Sequence, residues 1–249
     1  MSTNVCDKSI ETYPTPKDWG TDSLGKFLED AHYNMVATFS NLRPQYNALA
    51  KIDRIYTEII DCLNQSPELV APFFLIRSHS SFRGAVRLCL SGQIPEAQMV
   101  LRGCIESALY GLYVAGDTNR QEIWLRRHDD DASQRRVRNE FTIRNLMDHL
   151  NSIDAKTPKI TQHLYDRTID YGAHPNERAV FTQVKPEIVE SRIDFTADYF
   201  VCGGLPQRSC LRSTAQIGIC TLDIFYHVFQ LRYQILGMDE RLDQIRKGF

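Results

Sequence analysis

Apolar residues that recur at helical spacing over long uninterrupted stretches are the feature that most restricts how this chain can fold. In the clearest stretch, which follows Pro44, the intervals alternate between three and four: Leu49, Ile52, Tyr56, Ile59 and Leu63. Turn-forming residues are scarce, since the 249 residues hold only 13 glycines and 10 prolines. A β-sandwich or barrel with a turn about every ten residues needs more of both. The sequence therefore predicts an all-α protein.

Two of the predicted helices are apolar on most of their circumference, which is typical of helices inside a bundle rather than on its surface. One covers residues 94–116, and the other is a long closing helix over about 207–236. The helix that precedes residue 94 is expected to begin at Pro67 and to end at Gly92, which suits a C-cap. The pattern thus indicates a bundle in which at least two helices are buried.

The domain organisation is expected to be simple. Residues 1–20 lack apolar periodicity and are predicted to form a flexible N-terminal arm. Asp22 or Ser23 can cap the first helix, and residues 21–249 are predicted to form a single helical domain. Residues 176–206 show no clear period and are compatible with short extended pieces or helix fragments.

The middle of the chain is more polar, and its predicted helices have only a thin apolar edge. Helices are expected over residues 118–129 and about 132–151, with arginine covering much of their surface. A further helix is expected to end near Gly172, with His174 in the turn that follows it. These helices are predicted to lie at the periphery of the bundle.

The charge balance excludes a strong general attraction to nucleic acids or anionic membranes. Lys and Arg number 29 against 31 Asp and Glu, a formal net charge of -2, so no specificity for DNA is expected. A nucleic-acid site would have to be a local patch. The stretch from Arg120 to Arg144 holds seven arginines, but five acidic residues lie among them. This stretch favours nucleic-acid binding only if the fold places the arginines and the acidic residues on different faces.

Cysteine usage and hydropathy point to a cytoplasmic protein with no membrane segment. The seven cysteines include no CxxC pair, which indicates reduced thiols. Four of them have apolar neighbours and are expected to fill the core: Cys62, Cys89, Cys104 and Cys220. The N-terminus has no secretory pattern, and charged residues interrupt both of the most apolar stretches.

Common catalytic and cofactor motifs do not occur in the sequence. It has no glycine-rich phosphate loop, no GxSxG, no HExxH, no EF-hand loop and no dinucleotide fingerprint, so no cofactor is predicted. His128 and Asp129 are similar to the HD pair of metal phosphohydrolases, but the surrounding apolar and glycine residues of that family are missing. No metal site is therefore predicted.

Charged residues inside apolar helices are the best candidates for binding, because a buried charge is costly unless it is paired or used. Arg102 and Glu106 share one face of the apolar helix and predict either a register-fixing ion pair or an arginine that holds a phosphate. His79, Arg83 and Arg87 lie on one ridge at spacings of four. That ridge can bind an anion, including an RNA phosphate, or pair with acids from another helix.

A family resemblance covers about 100 residues. The stretch from about Phe73 to His174 contains LSGQIPEAQMVLRGCIESALYGLYVAG and later YDRTIDYGAHPN. In this order of helices it resembles bacterial helical proteins akin to the HEPN superfamily. The resemblance implies an all-α, HEPN-like helical bundle with extra peripheral helices around a core at about 67–175. It also implies a homodimer that binds or cleaves RNA in stress or phage defence.

Many HEPN proteins are metal-independent ribonucleases with an Arg-x(4 to 6)-His motif, and the chain offers two matches. Arg167 and His174 are preferred, because seven positions return to the same face of a continuous helix. Arg144 and His149 stay an alternative, although a separation of five turns them about 140° apart. The resemblance implies that His174 acts as general base or acid, that Arg167 stabilises charge on the phosphate, and that Asp170 orients the imidazole.

A second interpretation needs no catalysis. In it the protein is a helical scaffold or a ligand-binding protein that acts through partners. His174 then only occupies the exit of a helix ahead of Pro175, and Arg167 pairs with Asp166 or Asp170.

Overall fold

The computed structural model describes residues 14–63, 69–190 and 192–248. Residues 1–13 of the predicted N-terminal arm, and the expected helix start at Pro67, lie outside the described residues. The described ranges hold eleven α-helices: α1 (Ser23–Asn41), α2 (Arg43–Asp61), α3 (Ala71–Ser91), α4 (Ile94–Val114), α5 (Thr118–Leu125), α6 (Asp131–Glu140), α7 (Ile143–Ile153), α8 (Thr157–Thr168), α9 (Glu177–Gln183), α10 (Gly204–Ile235) and α11 (Met238–Arg246). The all-α prediction is confirmed.

Helix α4 lies at the centre of the bundle, in contact with α3, α7, α8 and α10. Its buried positions continue around most of its circumference, so the prediction that this helix is internal is confirmed. For α10 the prediction holds from Gln207 to Phe225, whereas Leu231 and Ile235 in the last turns are exposed. The buried apolar side chains of the bundle form one continuous cluster. None of the helices in the described ranges combines the length and the hydrophobicity that crossing a membrane requires.

The ends of the first helices follow the sequence signals. The Asp22 side chain accepts hydrogen bonds from the backbone amides of Leu24 and Gly25, at 2.9 and 2.8 Å, and so caps α1. Gly92 ends α3 with φ of 89°, the left-handed conformation that glycine adopts readily. A Cβ at this position would also lie 2.7 Å from the Cys202 sulphur, so a larger residue would be strained and would displace Cys202.

A buried polar network ties four helices together inside the apolar core. The Tyr56 hydroxyl of α2 is hydrogen-bonded to Ser78 of α3, at 3.2 Å, and to Thr221 of α10. Ser78 in turn donates to the backbone carbonyl of Cys104 in α4, at 3.1 Å. Burial raises the pKa of Tyr56 well above its usual range. The tyrosine therefore stays protonated, and each hydroxyl in this dry region has a partner.

The structure corrects two expectations about helices. The single helix predicted over 132–151 is two, α6 and α7, because the Thr142 hydroxyl accepts from the Asn145 amide at 3.2 Å and starts a new helix. The Asn145 side chain also donates to the backbone carbonyl of Glu140, at 2.8 Å, near the end of α6. In addition, the last helix, α11, was not predicted.

Residues 176–206 combine both of the forms that the sequence left open. Helix α9 is followed by an antiparallel hairpin of β1 (Val184–Val189) and β2 (Arg192–Ala197), in which Val184 lies opposite Ala197. All six residues of β2 are exposed. The hairpin therefore lies outside the core that α4 and α10 form.

The cysteine prediction holds at three of four positions. Cys89, Cys104 and Cys220 are buried as free thiols, together with Cys210, which was not named among the core residues. Cys62 is exposed, because α2 ends at Asp61 and places Cys62 at its C-cap rather than on the buried face. Cys6 lies outside the described residues.

Close helix packing at Gly218 predicts a measurable loss of stability on substitution. A Cβ at this position in α10 would lie 2.6 Å from the Phe82 ring and 2.9 Å from Ile52. We expect Gly218→Ala to lower the free energy of unfolding by about 1–3 kcal/mol, as other overpacked cores do, in urea denaturation followed by circular dichroism.

Gly84→Ala is the matched control, because a Cβ at Gly84 in α3 would meet only Val100, at an ordinary 3.5 Å. The higher helix propensity of alanine should then raise stability by up to about 1 kcal/mol. Equal effects of the two substitutions would contradict this account of α10 packing.

Candidate functional site

Four polar side chains meet where α4, α8 and the segment after α8 come together. The Arg102 guanidinium donates from Nε to Glu106 Oε1 at 2.9 Å, and the Tyr165 hydroxyl donates to the same oxygen at 3.0 Å. Arg102 Nη1 also contacts His174 Nε2 at 3.3 Å. We call Arg102, Glu106, Tyr165 and His174 the Arg102 cluster. It contains the predicted pair Arg102 and Glu106, with a histidine beside the arginine.

A distorted turn places His174 above α4. Helix α8 continues into a π-helical turn at Ile169–Ala173, which ends in an extended His174. The turn lies directly against the start of α4, because a Cβ on Gly172 would be only 2.2 Å from the Pro95 carbonyl oxygen. The Asn176 side chain donates to the Ile169 carbonyl at 3.0 Å and closes the turn. Such π-turns frequently occur at functional sites.

The electrostatics keep the cluster in a defined hydrogen-bonding state. Burial, assisted by the neighbouring Glu106 carboxylate, raises the pKa of Tyr165 to about 12, so its hydroxyl remains a donor. The Arg102 guanidinium also lies 5.2 Å from the centroid of the Tyr165 ring. Arg102 and Glu106 retain 29% and 37% of their side-chain exposure, and His174 is exposed. Solvent can therefore reach the arginine and the imidazole.

Arg167 does not join this cluster. Its guanidinium turns to α10, where it donates to Ser213 Oγ at 2.6 Å and to Gln216 Oε1 at 3.2 Å. The expected shared face with His174 requires a continuous helix, and the π-turn, with non-helical backbone angles at Gly172, ends that continuity. The arginine that contacts His174 is thus Arg102. Asp170, expected to orient His174, instead lies 3.8 Å from Arg178.

The alternative pair is not brought together either. Helix α7 begins at Ile143, so Arg144 and His149 lie in one continuous helix at the divergent spacing of five. Arg144 pairs with Asp148 at 3.8 Å, whereas His149 packs edge-on against Tyr113 with ring centroids 5.2 Å apart. Burial, together with the charge of Arg120, lowers the pKa of His149. His149 is therefore a packed, largely neutral side chain.

The ridge on α3 pairs with an acid from another helix, which was one of its two expected outcomes. Asp53 Oδ1 of α2 lies 2.6 Å from His79 Nε2 and 2.7 Å from Arg83 Nε, and Asp53 Oδ2 lies 3.0 Å from Arg83 Nη2. The His79 ring stacks on Tyr56 with centroids 4.9 Å apart. Arg87 is exposed and lies outside this pairing. The ridge therefore connects α3 to α2.

Two members of these arrangements, Asp53 and Tyr165, were not singled out from the sequence. Asp53 follows the buried Ile52 and lies beside the apolar stripe of α2, where an acid can meet a neighbouring helix. Tyr165 shares a buried face of α8 with Thr161 and Thr168 at spacings of four and three. These spacings are the only signals in the sequence that could have indicated them.

The arginine-rich stretch is partly neutralised by its own acids. Arg126 pairs with Glu122 and Asp129, and Arg120 pairs with Asp117. Four exposed arginines have no salt bridge to any described residue: Arg127, Arg135, Arg136 and Arg138. In the part of the chain that the structure describes, no group of three His, Cys, Asp or Glu side chains is arranged to hold a metal ion.

No protein-family model, curated protein or solved structure shows a significant match to this chain. The resemblance to HEPN proteins therefore stays a prediction from the sequence. The helical architecture stands on the structure itself, and any functional conclusion must come from the geometry of the sites.

The Asp53 arrangement predicts a pH-dependent contribution to stability. Burial by itself raises the pKa of Asp53. The hydrogen bonds from His79 and Arg83 outweigh this effect and hold the pKa of Asp53 well below its usual range. The contribution is therefore present above the unfolded-state pKa of about 4 and is lost as the pH falls below it. We expect Asp53→Asn to lower the free energy of unfolding at pH 7 by about 1–3 kcal/mol and to weaken its decrease in acid.

Asp30→Asn serves as control, because Asp30 forms only an exposed pair with Lys26 on the same helix. Such surface pairs contribute about 0.3–0.5 kcal/mol. Urea titrations between pH 3 and pH 7 compare the two variants. If the free energy of unfolding of Asp53→Asn falls in acid as steeply as that of the parent protein, the Asp53 carboxylate does not stabilise the α2–α3 contact.

Proposed function

We propose that this protein is a ribonuclease of HEPN-like architecture that cleaves RNA without a metal ion, with the Arg102 cluster as its catalytic site. The observation that supports this most is the contact of 3.3 Å between Arg102 Nη1 and His174 Nε2 at a solvent-exposed position. An arginine and an imidazole side by side are the two groups that phosphodiester cleavage needs most, one for the phosphate charge and one for proton transfer.

The direction of the hydrogen bond suggests the role of the histidine. Arginine can only donate, so His174 Nε2 carries a lone pair when it accepts from Arg102. This is the form of imidazole that a general base requires. When RNA binds, the guanidinium would turn from the imidazole to the non-bridging oxygens of the phosphate, and Nε2 would become free for the ribose hydroxyl.

The proposed reaction is an internal transesterification. His174 Nε2 accepts the proton of a ribose 2'-hydroxyl while the O2'–P bond forms and the P–O5' bond breaks. The leaving O5' takes its proton from water, which reaches this exposed site, and the hydroxide that remains takes back the proton from His174. Arg102 stabilises the negative charge on the phosphate oxygens. The products are a 2',3'-cyclic phosphate and a 5'-hydroxyl end.

Glu106 and Tyr165 act as positioning residues in this proposal. Both Arg102 Nε and the Tyr165 hydroxyl bond to Glu106 Oε1, so the carboxylate orients the guanidinium while the tyrosine orients the carboxylate. Tyr165 is buried between α4 and α8, so it holds the half-exposed Glu106 carboxylate in place beside Arg102. A preorganised donor of this kind contributes more to catalysis than a mobile one.

Cellular context follows from the same line of argument. The scattered cysteines, without a CxxC pair, are typical of a reducing compartment, which supports a cytoplasmic location. The resemblance to HEPN proteins favours a role in stress or phage defence.

In the alternative function, the protein is a non-catalytic scaffold or a ligand-binding protein. The Arg102 cluster would then only connect α4 to the turn after α8 and would not act on RNA.

The catalytic proposal predicts RNA cleavage in the presence of EDTA. With an end-labelled, unstructured RNA, we expect the protein to produce cyclic-phosphate ends, and we expect His174→Ala and Arg102→Gln each to reduce the single-turnover rate by about 100-fold or more. A structured RNA tests whether pairing protects the substrate, and a single 2'-deoxy nucleotide at the cleavage position should block the reaction.

His149→Ala is the matched control, since His149 packs on Tyr113 and lies outside the cluster. It should leave the rate unchanged. Absence of cleavage by the parent protein, or cleavage that both His174→Ala and Arg102→Gln leave intact, would refute the proposal. Melting curves of every variant separate a loss of chemistry from a loss of fold.

A homodimer is the second part of the proposal. The resemblance to HEPN proteins implies a dimer, and two apolar side chains that lie exposed on α3, Phe73 and Ile76, are its proposed contact. We expect light scattering after gel filtration to give twice the mass of the chain, and the double change Phe73→Asp with Ile76→Asp to give a monomer. Leu125→Asp on α5, also exposed, is the control that should stay dimeric. A monomeric parent protein at every concentration would contradict this.

A further inference from the structure

A groove between α8 and α10 contains Arg167, the arginine that the Arg102 cluster leaves out. Two cavities of about 370 and about 560 Å³ lie along these helices, and Arg167 lines both. The smaller reaches Tyr171 and Leu205, and the larger reaches α11 at Arg246. We call the two cavities together the α8–α10 groove. Their volumes lie within the range of small-molecule sites.

Arg167 is half-buried in this groove without an acid partner among the described residues. Its hydrogen bonds go to Ser213 and Gln216, both neutral, and they occupy two of the five N–H donors of a guanidinium. Three other half-buried arginines have carboxylate partners: Arg102 pairs with Glu106, Arg120 with Asp117, and Arg241 with Glu58. Arg232, also half-buried, donates to the Cys62 backbone carbonyl and lines neither cavity. An arginine held in place with donors to spare is suited to an anion from outside the chain.

The charged lining of the larger cavity has the same preference. Lys159, His163 and Arg246 lie around it, and Asp223 is the one acidic group among its described lining residues. Asp223 is already paired with Arg246. Burial raises the pKa of Asp223 to about 6, against the opposing effect of Arg246. Arg246 also pairs with Asp243, so Lys159 and Arg167 are the cations of this lining without a salt bridge to a described residue.

The walls between these charges are apolar. Leu164 and Ile219 are buried at the base of the larger cavity, and Ile160 is exposed at its rim although it is a large aliphatic side chain. A hydrocarbon body fits these apolar side chains at the base and the rim, and an anionic group fits Arg167. Apolar walls with a few placed polar groups are typical of small-molecule sites.

We propose that the α8–α10 groove binds a small organic anion, with its carboxylate or phosphate on Arg167 and its hydrocarbon body along Ile160, Leu164 and Ile219. This site is separate from the Arg102 cluster and does not depend on the proposed ribonuclease activity. Arg167 supplies the charge, Ser213 and Gln216 orient it, and the apolar walls bind the body of the ligand.

Calorimetric titration with four eight-carbon probes tests the site: octanoate, octyl phosphate, octanol and octylammonium. We expect saturable binding of at least one of the two anions, with weaker binding of octanol and the weakest of octylammonium. The two anions distinguish a carboxylate from a phosphate as the preferred head group. Arg167→Gln should weaken anion binding by about tenfold or more, the effect of losing a charge-assisted hydrogen bond, and should leave octanol unchanged.

Two further variants complete the test. Arg144→Gln removes an exposed arginine that pairs only with Asp148, and it should leave all four affinities unchanged. Ile160→Asp places a charge at the exposed apolar rim, and it should weaken the binding of octanol and of both anions. The proposal is overturned if neither anion binds saturably, if octylammonium binds as tightly as the anions, or if Arg167→Gln and Arg144→Gln have the same effect.

Discussion

Burial of α4 on most of its circumference is the constraint on which the rest of the structure depends. The helix contacts α3, α7, α8 and α10 at once, so its polar side chains are restricted to the places where another element brings a partner. Arg102 and Glu106 lie at such a place, because Tyr165 of α8 and the turn that carries His174 close over them. The proposed catalytic site is thus a consequence of how the central helix satisfies Arg102 and Glu106.

Close backbone approach decides where these partners lie. Gly172 lets the π-turn rest on the Pro95 carbonyl at the start of α4, and Gly218 lets α10 approach Phe82 and Ile52. A side chain at either position would separate the helices and move the groups that they carry. The first contact brings His174 to Arg102. The second belongs to the packing of α10, the helix against which Arg167 lies.

Several features could be predicted from the sequence because they depend on neighbours within one or two turns. The caps at Asp22 and Gly92, the burial of α4 and α10, and the pairing of Arg102 with Glu106 are of this kind. Asp53 and Tyr165 escaped prediction, because their importance comes from partners on other helices. The separation of α6 from α7 also escaped it, since a single threonine and asparagine end one helix and start the next.

The two arginines of the sequence hypothesis show where local information stops. Spacing along the chain determined that Arg102 and Glu106 share a helix face, that Arg167 lies near the end of a helix, and that His174 follows it. Only the tertiary structure decided that His174 faces Arg102, whereas Arg167 turns to Ser213 and Gln216. The physical reason is that helical periodicity predicts a shared face only while the helix is continuous. The π-turn ends that continuity, and its position depends on packing against Pro95, more than seventy residues earlier in the chain.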